Sequence, residues 1–428
     1  YSYIDGKFYT GNTRDRKFAG FGQVVKTDPA GNVTKTYFHQ GDTTSTALGE
    51  FDDHISKAGK IYRVEELDNA GNLFRLSVNK WDKQNLGTDR NFVQLVRETT
   101  LQYDGDADHA DTAKEYIYDN LNGNLTQKID NGLVTANTDG SFTDTGTDKS
   151  IEVIKYVNNT TNGVIGLPYE DTLYDLNLSR IRSTRIYYDN NLTLGTVGAG
   201  NPTKIENWVT GSTYVTNQKS YNPNGTVANE TDPRGYVTSY IYDTHNLYPS
   251  TVTRPLSNIT SYTYDYSSGK PKQITDANNF VYQNIYDGFG RILEEKIPDE
   301  TSPYAPVTKT KYIYTDTPNS VAVQKSDYLS PTNIVETYQY FDGFGRLIQE
   351  RKEAENISSA NYNVRDIFYN NLGLVQKESL PYGGANGGKT NPSTNTLLYT
   401  SYTYDALGRP FTATNSLGTT NYTYDDLK

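Results

Sequence analysis

The sequence predicts an all-β protein built of tandem antiparallel hairpins, and three observations carry that expectation. Six turns of the form Asp-x-x-Gly begin at Asp28, Asp68, Asp232, Asp287, Asp342 and Asp405. Alternating segments such as Ser401-Tyr402-Thr403-Tyr404-Asp405 and Ser261-Tyr262-Thr263-Tyr264-Asp265 lead into Asp residues, and a period of two is the mark of a strand. The unit then recurs: Tyr404 and Tyr424 lie 20 residues apart, and Tyr242, Tyr264 and Tyr286 follow one another at 22. A single hairpin of this size cannot bury its own face, so neighbours must dock side by side.

Taken in order, residues 1–60 form a leading segment. It contains Phe18-Ala19-Gly20-Phe21-Gly22-Gln23-Val24 and the turn Asp28-Pro29-Ala30-Gly31, followed by Tyr37-Phe38-His39-Gln40-Gly41. Residues 61–200 keep the rhythm loosely. Asp68-Asn69-Ala70-Gly71 repeats the turn, and Tyr118-Asp119, Tyr174-Asp175 and Tyr188-Asp189 mark degenerate repeats. The polar stretches 131–150 and 158–166 read as long excursions, and 82–100 is the one stretch with a helical tendency to watch.

Residues 201–428 are the regular array. Asp232-Pro233-Arg234-Gly235 leads into Tyr240-Ile241-Tyr242-Asp243, with Pro233 presetting the backbone of the turn. In Asp276-Ala277-Asn278-Asn279, Asn279 takes the position of Gly as the residue next most tolerant of positive φ. Tyr286-Asp287-Gly288-Phe289-Gly290-Arg291 is nearly copied by Phe341-Asp342-Gly343-Phe344-Gly345-Arg346, and Asp405 to Gly408 and Arg409 repeat the theme. In each, the Asp carboxylate is expected to accept backbone N–H groups two residues on, and the Gly to supply the positive φ that closes the turn. Asn415 to Gly418 reverses the chain once more. Segments 298–306 and 381–392 read as loops inserted between repeats.

Composition narrows the function. The formal net charge is −11, and 40 Lys and Arg residues are scattered without a basic stripe, which argues against a nucleic-acid partner. Mean hydropathy is −0.73, yet 38 Tyr and 14 Phe set the chain apart from a disordered composition. Tyr is the expected core material. With no Cys, disulfide and thiolate chemistry are excluded. No apolar run of membrane-spanning length occurs, so this segment is not expected to insert in a membrane. The absence of Met gives the expectation of a piece of a longer protein.

These residues carry a resemblance. Tyr-Asp-x-x-Gly-Arg, partnered by Asp-x-x-Gly turns followed by a Tyr strand, resembles the YD, or Rhs, repeat. The leading segment from Phe18 to Gly41 is similar to the middle region of the shell-forming B component of bacterial insecticidal toxin complexes and of virulence-plasmid-like toxins. The resemblance implies a curved or spiral β-sheet ribbon, forming part of a shell that encloses or presents a toxic cargo. It implies a secreted or surface-exposed bacterial protein acting as a non-catalytic scaffold, without a cofactor. Its implied partners are other segments of the same parent chain or a partner toxin subunit, and the enclosed cargo. The alternative is an extracellular adhesion module that binds host glycan or matrix protein. The expected structural positions are Tyr242, Asp243, Tyr264, Asp265, Tyr286, Asp287, Gly290, Arg291, Asp342, Gly345, Arg346, Tyr404, Asp405, Gly408 and Arg409. No self-cleaving core signature follows the array, so the fragment reads as scaffold alone.

Several tempting sites have simpler explanations. Gly383-Gly384-Ala385-Asn386-Gly387-Gly388-Lys389-Thr390 matches the phosphate-loop pattern but lacks the parallel strand and helix that such a site needs. Asp104, Asp106, Asp108 and Glu115 have the spacing of calcium ligands, but His109 stands where the loop requires Gly and the flanks read as strands. They are weak calcium candidates only. The four histidines, His39, His54, His109 and His245, lie far apart without a metal-ligating spacing, and His39 is assigned a structural role at a strand end. No Gly-x-Ser-x-Gly nucleophile turn is present. Tyr rows that suit sugar rings are read as cross-strand pairs holding the sheet.

Overall fold

The computed structural model of the chain describes residues 1–11, 16–87, 90–299, 302, 305–317, 320–357, 360–392 and 398–424. Among them the chain forms 31 strands and four single-turn 3-10 segments, at Thr46–Leu48, Ile55–Lys57, Thr160–Asn162 and Pro255–Ser257. It divides into two compact units: Tyr1–Gln218 with Tyr404–Arg409 and Tyr422–Lys428, and Lys219–Thr403 with Pro410–Asn421. The described pairings are all antiparallel, and nearly all join a strand to its successor in sequence, as the hairpin rhythm requires.

In the first unit the strands Leu73–Asn85 and Asn91–Gln102 pair from Arg75↔Gln102 to Asn85↔Asn91. Residues 82–100 are therefore strand and not helix. Leu76, Val78, Leu101, Tyr103 and Ala113 give this region an apolar cluster, with Thr99 and Asp111 buried on the same face. The polar excursions turn out to be its cover. Thr99 donates to the Gly140 carbonyl at 2.8 Å and Arg63 to that of Thr138 at 2.6 Å, laying the hairpin between Leu125–Ala136 and Phe142–Asp144 over the sheet. Gly49 and Gly140 approach so closely that a Cβ on either would sit 2.5 or 2.6 Å from Val78. A polar loop composition thus hides a packing role that depends on tertiary contacts. A second small cluster gathers Val157, Tyr188 and Val197.

The second unit holds few buried apolar residues: Val252, Tyr340 and Val364. Most of its strand tyrosines sit half-buried, while Ile241, Ile285 and Ile313, each next to one of them, are exposed. Tyr is therefore less the core than its frame. The phenol bodies cover the sheet face and the hydroxyls reach polar partners at its margin, as amphipathic rings do. The most fully buried side chains are aliphatic and polar: Leu76 and Leu101 with His39 and Lys57 in the first unit, Val364 with Arg351 in the second.

Candidate functional site

The repeat turn is the recurring polar constellation of the chain, and one geometry serves nearly all its copies. Asp287 Oδ1 accepts the N–H groups of Phe289 and Arg291, both at 2.9 Å, while the Gly290 N–H donates to the Asp287 carbonyl at 3.0 Å. Asp342 does the same with Phe344 and Arg346, at 2.9 and 3.0 Å, and Asp405 with Leu407 and Arg409, both at 2.9 Å. Asp243 accepts from His245 and Leu247, at 3.1 and 2.9 Å. At Asp287, Asp342 and Asp405 this is a three-residue hairpin loop, a type I turn closed by a residue at positive φ, and at Asp243 the loop is one residue longer. Gly290, Gly345 and Gly408 have φ of 75°, 77° and 78°, and Asn279 stands in at 66°. The Asp265 turn is one residue longer: Gly269 closes it, and Ser267 and Ser268 hydroxyls bind the carboxylate. Asn370 makes the same two amide contacts as the acids, at 2.9 and 3.0 Å.

Two side chains of the motif act beyond the turn. Arg291, Arg346 and Arg409 each donate Nε to the free oxygen of their own Asp at 2.7 Å. Each guanidinium also lies over a Tyr further along the chain: Tyr314 at 4.2 Å, Tyr369 at 4.5 Å and Tyr424 at 4.1 Å from the ring centre. Such a cation–π contact links one turn to the next. The tyrosines preceding the turns reach back: Tyr264 donates to the Pro249 carbonyl at 2.9 Å, Tyr286 to Pro271 at 2.8 Å and Tyr369 to Leu347 at 2.9 Å. Tyr242 and Tyr404 end their strands at the same position, half-buried. Sequence reading missed the arginine and hydroxyl links, because their partners lie on other strands.

Glycine at these turns is a backbone requirement. A Cβ at position 345 meets nothing within 4 Å, whereas at position 290 it would lie 3.1 Å from Ser268 Cβ. Gly345→Val therefore isolates the cost of positive φ, about 1–3 kcal/mol, and Gly290→Val adds crowding. Chemical denaturation is expected to show both losses; unchanged midpoints would contradict the turn assignment.

The turn carboxylates are also acid-sensitive. For Asp287 and Asp342 burial works toward a higher pKa, but the turn amides and the paired arginine outweigh it and hold both below the ordinary 3.8. Asp265 is lowered chiefly by Ser267, and Asp119 by the Asn122 amide. A depressed folded pKa contributes stability that is present above the unfolded value and is lost as pH falls through the folded one. Thermal melting is expected to hold steady above about pH 5 and to drop steeply below 3.8; a flat profile to pH 2 would contradict these turn bonds.

The phosphate-loop look-alike is a strap. Tyr382–Gly384 pairs antiparallel with Ala360–Tyr369, and residues 386–390 lie over Arg351 and Gln349, whose side chains bind Asn386 O, Thr390 Oγ1 and the Thr390 carbonyl. Alongside runs a groove containing Asp342 and Asp366; the first caps its turn and the second accepts from Gln349 and Tyr382 at 2.6 and 2.7 Å. The calcium candidates do not converge. Asp104 binds Gln102 and, at 2.7 Å, Arg409 of the same unit, and Glu115 lies up the strand against Asn131. Among the described residues, the cluster of metal-ligand type is elsewhere, at His39, Glu50 and Asp53.

Family models match parts of the chain, and solved structures resemble it in fold. A family model described as RHS Repeat matches residues 221–256, and a domain of unknown function, DUF6443, matches 311–426. No curated protein matches in sequence. The crystal structure of TcdB2-TccC3 superposes with a TM-score of 0.72 at 15% identity, over 99% of this chain and 30% of that one. The same pair without its hypervariable C-terminal region gives 0.71 at 12%, covering 97% and 32%. A mutant Photorhabdus luminescens Tc holotoxin pore gives 0.72 at 12%, covering 96% and 31%. The chain thus spans under a third of the length of these chains, and at such identity the likeness is one of fold. With its Asp-capped, Arg-clamped turns, the chain carries a matched RHS repeat at residues 221–256, and it has the all-β fold of the toxin-complex chains it resembles.

Proposed function

We propose that the chain is a non-catalytic scaffold section of a secreted or surface-exposed, toxin-related protein, forming part of a wall that encloses or presents a toxic cargo. The observation that carries this reading is how the signature side chains are used. Turn Asp, Arg and Tyr residues bind one another and the backbone of their own sheet, so the motif builds ladder and leaves chemistry to another part of the assembly. The strand face between the tyrosines, with Ile241, Ile285 and Ile313 exposed beside Glu294 and Lys311, offers a mixed apolar and polar lining to an unfolded chain. The partners on this reading are the rest of the parent chain, a companion toxin subunit and the cargo. The fold likeness to TcdB2-TccC3 and to the Tc holotoxin pore supports the same role.

Limited proteolysis of the intact parent protein tests it. The cargo segment is expected to survive while the sheet is folded and to be digested once the sheet is unfolded. Digestion of that segment at the same rate in both states would overturn the enclosing role. Micromolar binding of the 428-residue chain to one host glycan class would favour adhesion instead.

A further inference from the structure

Outside the repeat turns, one group of polar side chains is buried without being used by the ladder. His39 follows the strand Val33–Phe38 and is fixed by its backbone, its N–H donating to the Lys60 carbonyl and its own carbonyl accepting from Gly59, both at 2.9 Å. Its ring is completely buried against Tyr62, 5.2 Å between ring centres. Neither ring nitrogen has a hydrogen-bond partner. Asp53, its side chain equally buried, places Oδ1 at 3.2 Å from His39 Nδ1, a close electrostatic contact outside hydrogen-bond geometry, and that oxygen too lacks a hydrogen bond.

The loop Gly41–Asp53 aims the acids inward. Asp53 Oδ2 is held by the N–H groups of Gln40 and Gly41, both at 2.7 Å, and of Asp42 at 3.2 Å. Glu50, 3% exposed, has Oε2 held by the N–H groups of Thr44 and Ser45 at 2.6 and 2.7 Å. Each carboxylate is thus anchored through one oxygen. One donor atom from each of His39, Glu50 and Asp53 lies within 4.8 Å of the others. The nearby Lys57 ammonium is spent on the carbonyls of Phe51 and Asp52.

Two buried carboxylates and one imidazole with both nitrogens unbonded are costly as a bare group, since buried charge needs pairing and buried polar atoms need partners. A His–Asp ion pair alone leaves the second ring nitrogen and Glu50 uncompensated. The geometry points to a divalent transition-metal site, of zinc type, formed by His39, Glu50 and Asp53. The nitrogen donor and the small donor number disfavour calcium and magnesium, which take six or more oxygens or keep several waters. Donors around a tetrahedral zinc lie about 3.4 Å apart, so each moves inward by less than about 1 Å on binding, and a water completes the shell. The ion ties a strand end to the loop that covers Val78, acting as a cross-link where regular pairing stops.

The test uses the whole chain, stripped with a chelator and titrated with zinc chloride. One zinc per chain at micromolar affinity or tighter is expected, with a rise in melting temperature on binding. Glu50→Gln keeps the volume and the anchored oxygen; it is expected to weaken binding at least about tenfold, as is His39→Gln. His245→Gln, in an exposed turn, is the control expected to bind as the parent does. Absence of stoichiometric zinc binding by the parent chain would overturn the site. So would binding that both Glu50→Gln and His39→Gln leave unchanged, or a crystal structure grown with zinc that shows only water bridging His39 to Asp53.

Discussion

Raising the pH from 10 to 12 is expected to unfold the protein in one cooperative step, with tyrosinate absorbance rising as the β-sheet circular dichroism is lost. Tyr240, Tyr312 and Tyr382 are each pushed from the ordinary 10.0 up to about 12. Burial is the leading cause, and a carboxylate beside each hydroxyl adds to it: Glu230 at 2.7 Å, Glu295 at 3.1 Å and Asp366 at 2.7 Å. Tyr338, on Glu336 at 2.8 Å, and Tyr116, on Glu98, are raised further for the same reasons. A raised folded pKa contributes stability that is complete below the unfolded value and is lost as pH climbs through the folded one. The window is therefore pH 10 to 12. The effect is large because tyrosines of this kind recur along the whole ladder. Gradual ionisation near pH 10 with the sheet intact would show that the phenols are not held as described.

Arg351→Met is expected to cost about 3–5 kcal/mol, as removal of one partner from a buried charged network does. Arg351 is 1% exposed and donates Nε to Gln349 at 3.0 Å, Nη2 to Thr390 at 2.7 Å and Nη1 to the Asn386 carbonyl. Gln349 passes the link to Asp366, itself 1% exposed. Without the guanidinium, Gln349 loses the donor that fixes its amide toward Asp366, and the strap over Val364 loses two anchors. Urea denaturation should show the loss, and protease should cut within 382–392. Arg351→Met combined with Asp366→Leu is expected to recover part of it, since packed apolar side chains can replace buried charged groups of one hydrogen-bonded network. A loss below about 1 kcal/mol in the single variant would place the strap outside the cooperative unit.

How much of this was legible in the sequence follows from where each residue's partner lies. The turns were readable because Asp287, Gly290 and Arg291 meet within five residues, and Asn279 could be assigned its positive φ from local chemistry alone. The same motif spelled out an arginine at 291, 346 and 409, but its stacking on Tyr314, Tyr369 and Tyr424 needs strand register, which no local pattern encodes. The stretch 131–150 reads as a polar excursion, yet it continues the strand Leu125–Ala136 and returns through Phe142–Asp144; that the turn between them covers Val78 depends on contacts with strands far away in sequence. Residues 82–100 suggested helix only in isolation, and pairing along the full hairpin decided for strand, as tertiary context overrides weak propensity. His39 reads as structural in the sequence, and its meeting with Glu50 and Asp53 is not legible there, because an irregular loop, and not a fixed spacing on one helix or strand, brings them together.

The scaffold reading is tested most directly by electron cryo-microscopy of the intact parent protein. The expected result is this repeat array in the wall of an enclosure, with additional chain density lying against the strand face that carries Ile241, Ile285 and Ile313. A map in which that face is open to solvent, or in which the turn aspartates Asp287 and Asp342 have left their amides to converge on a bound substrate, would contradict it.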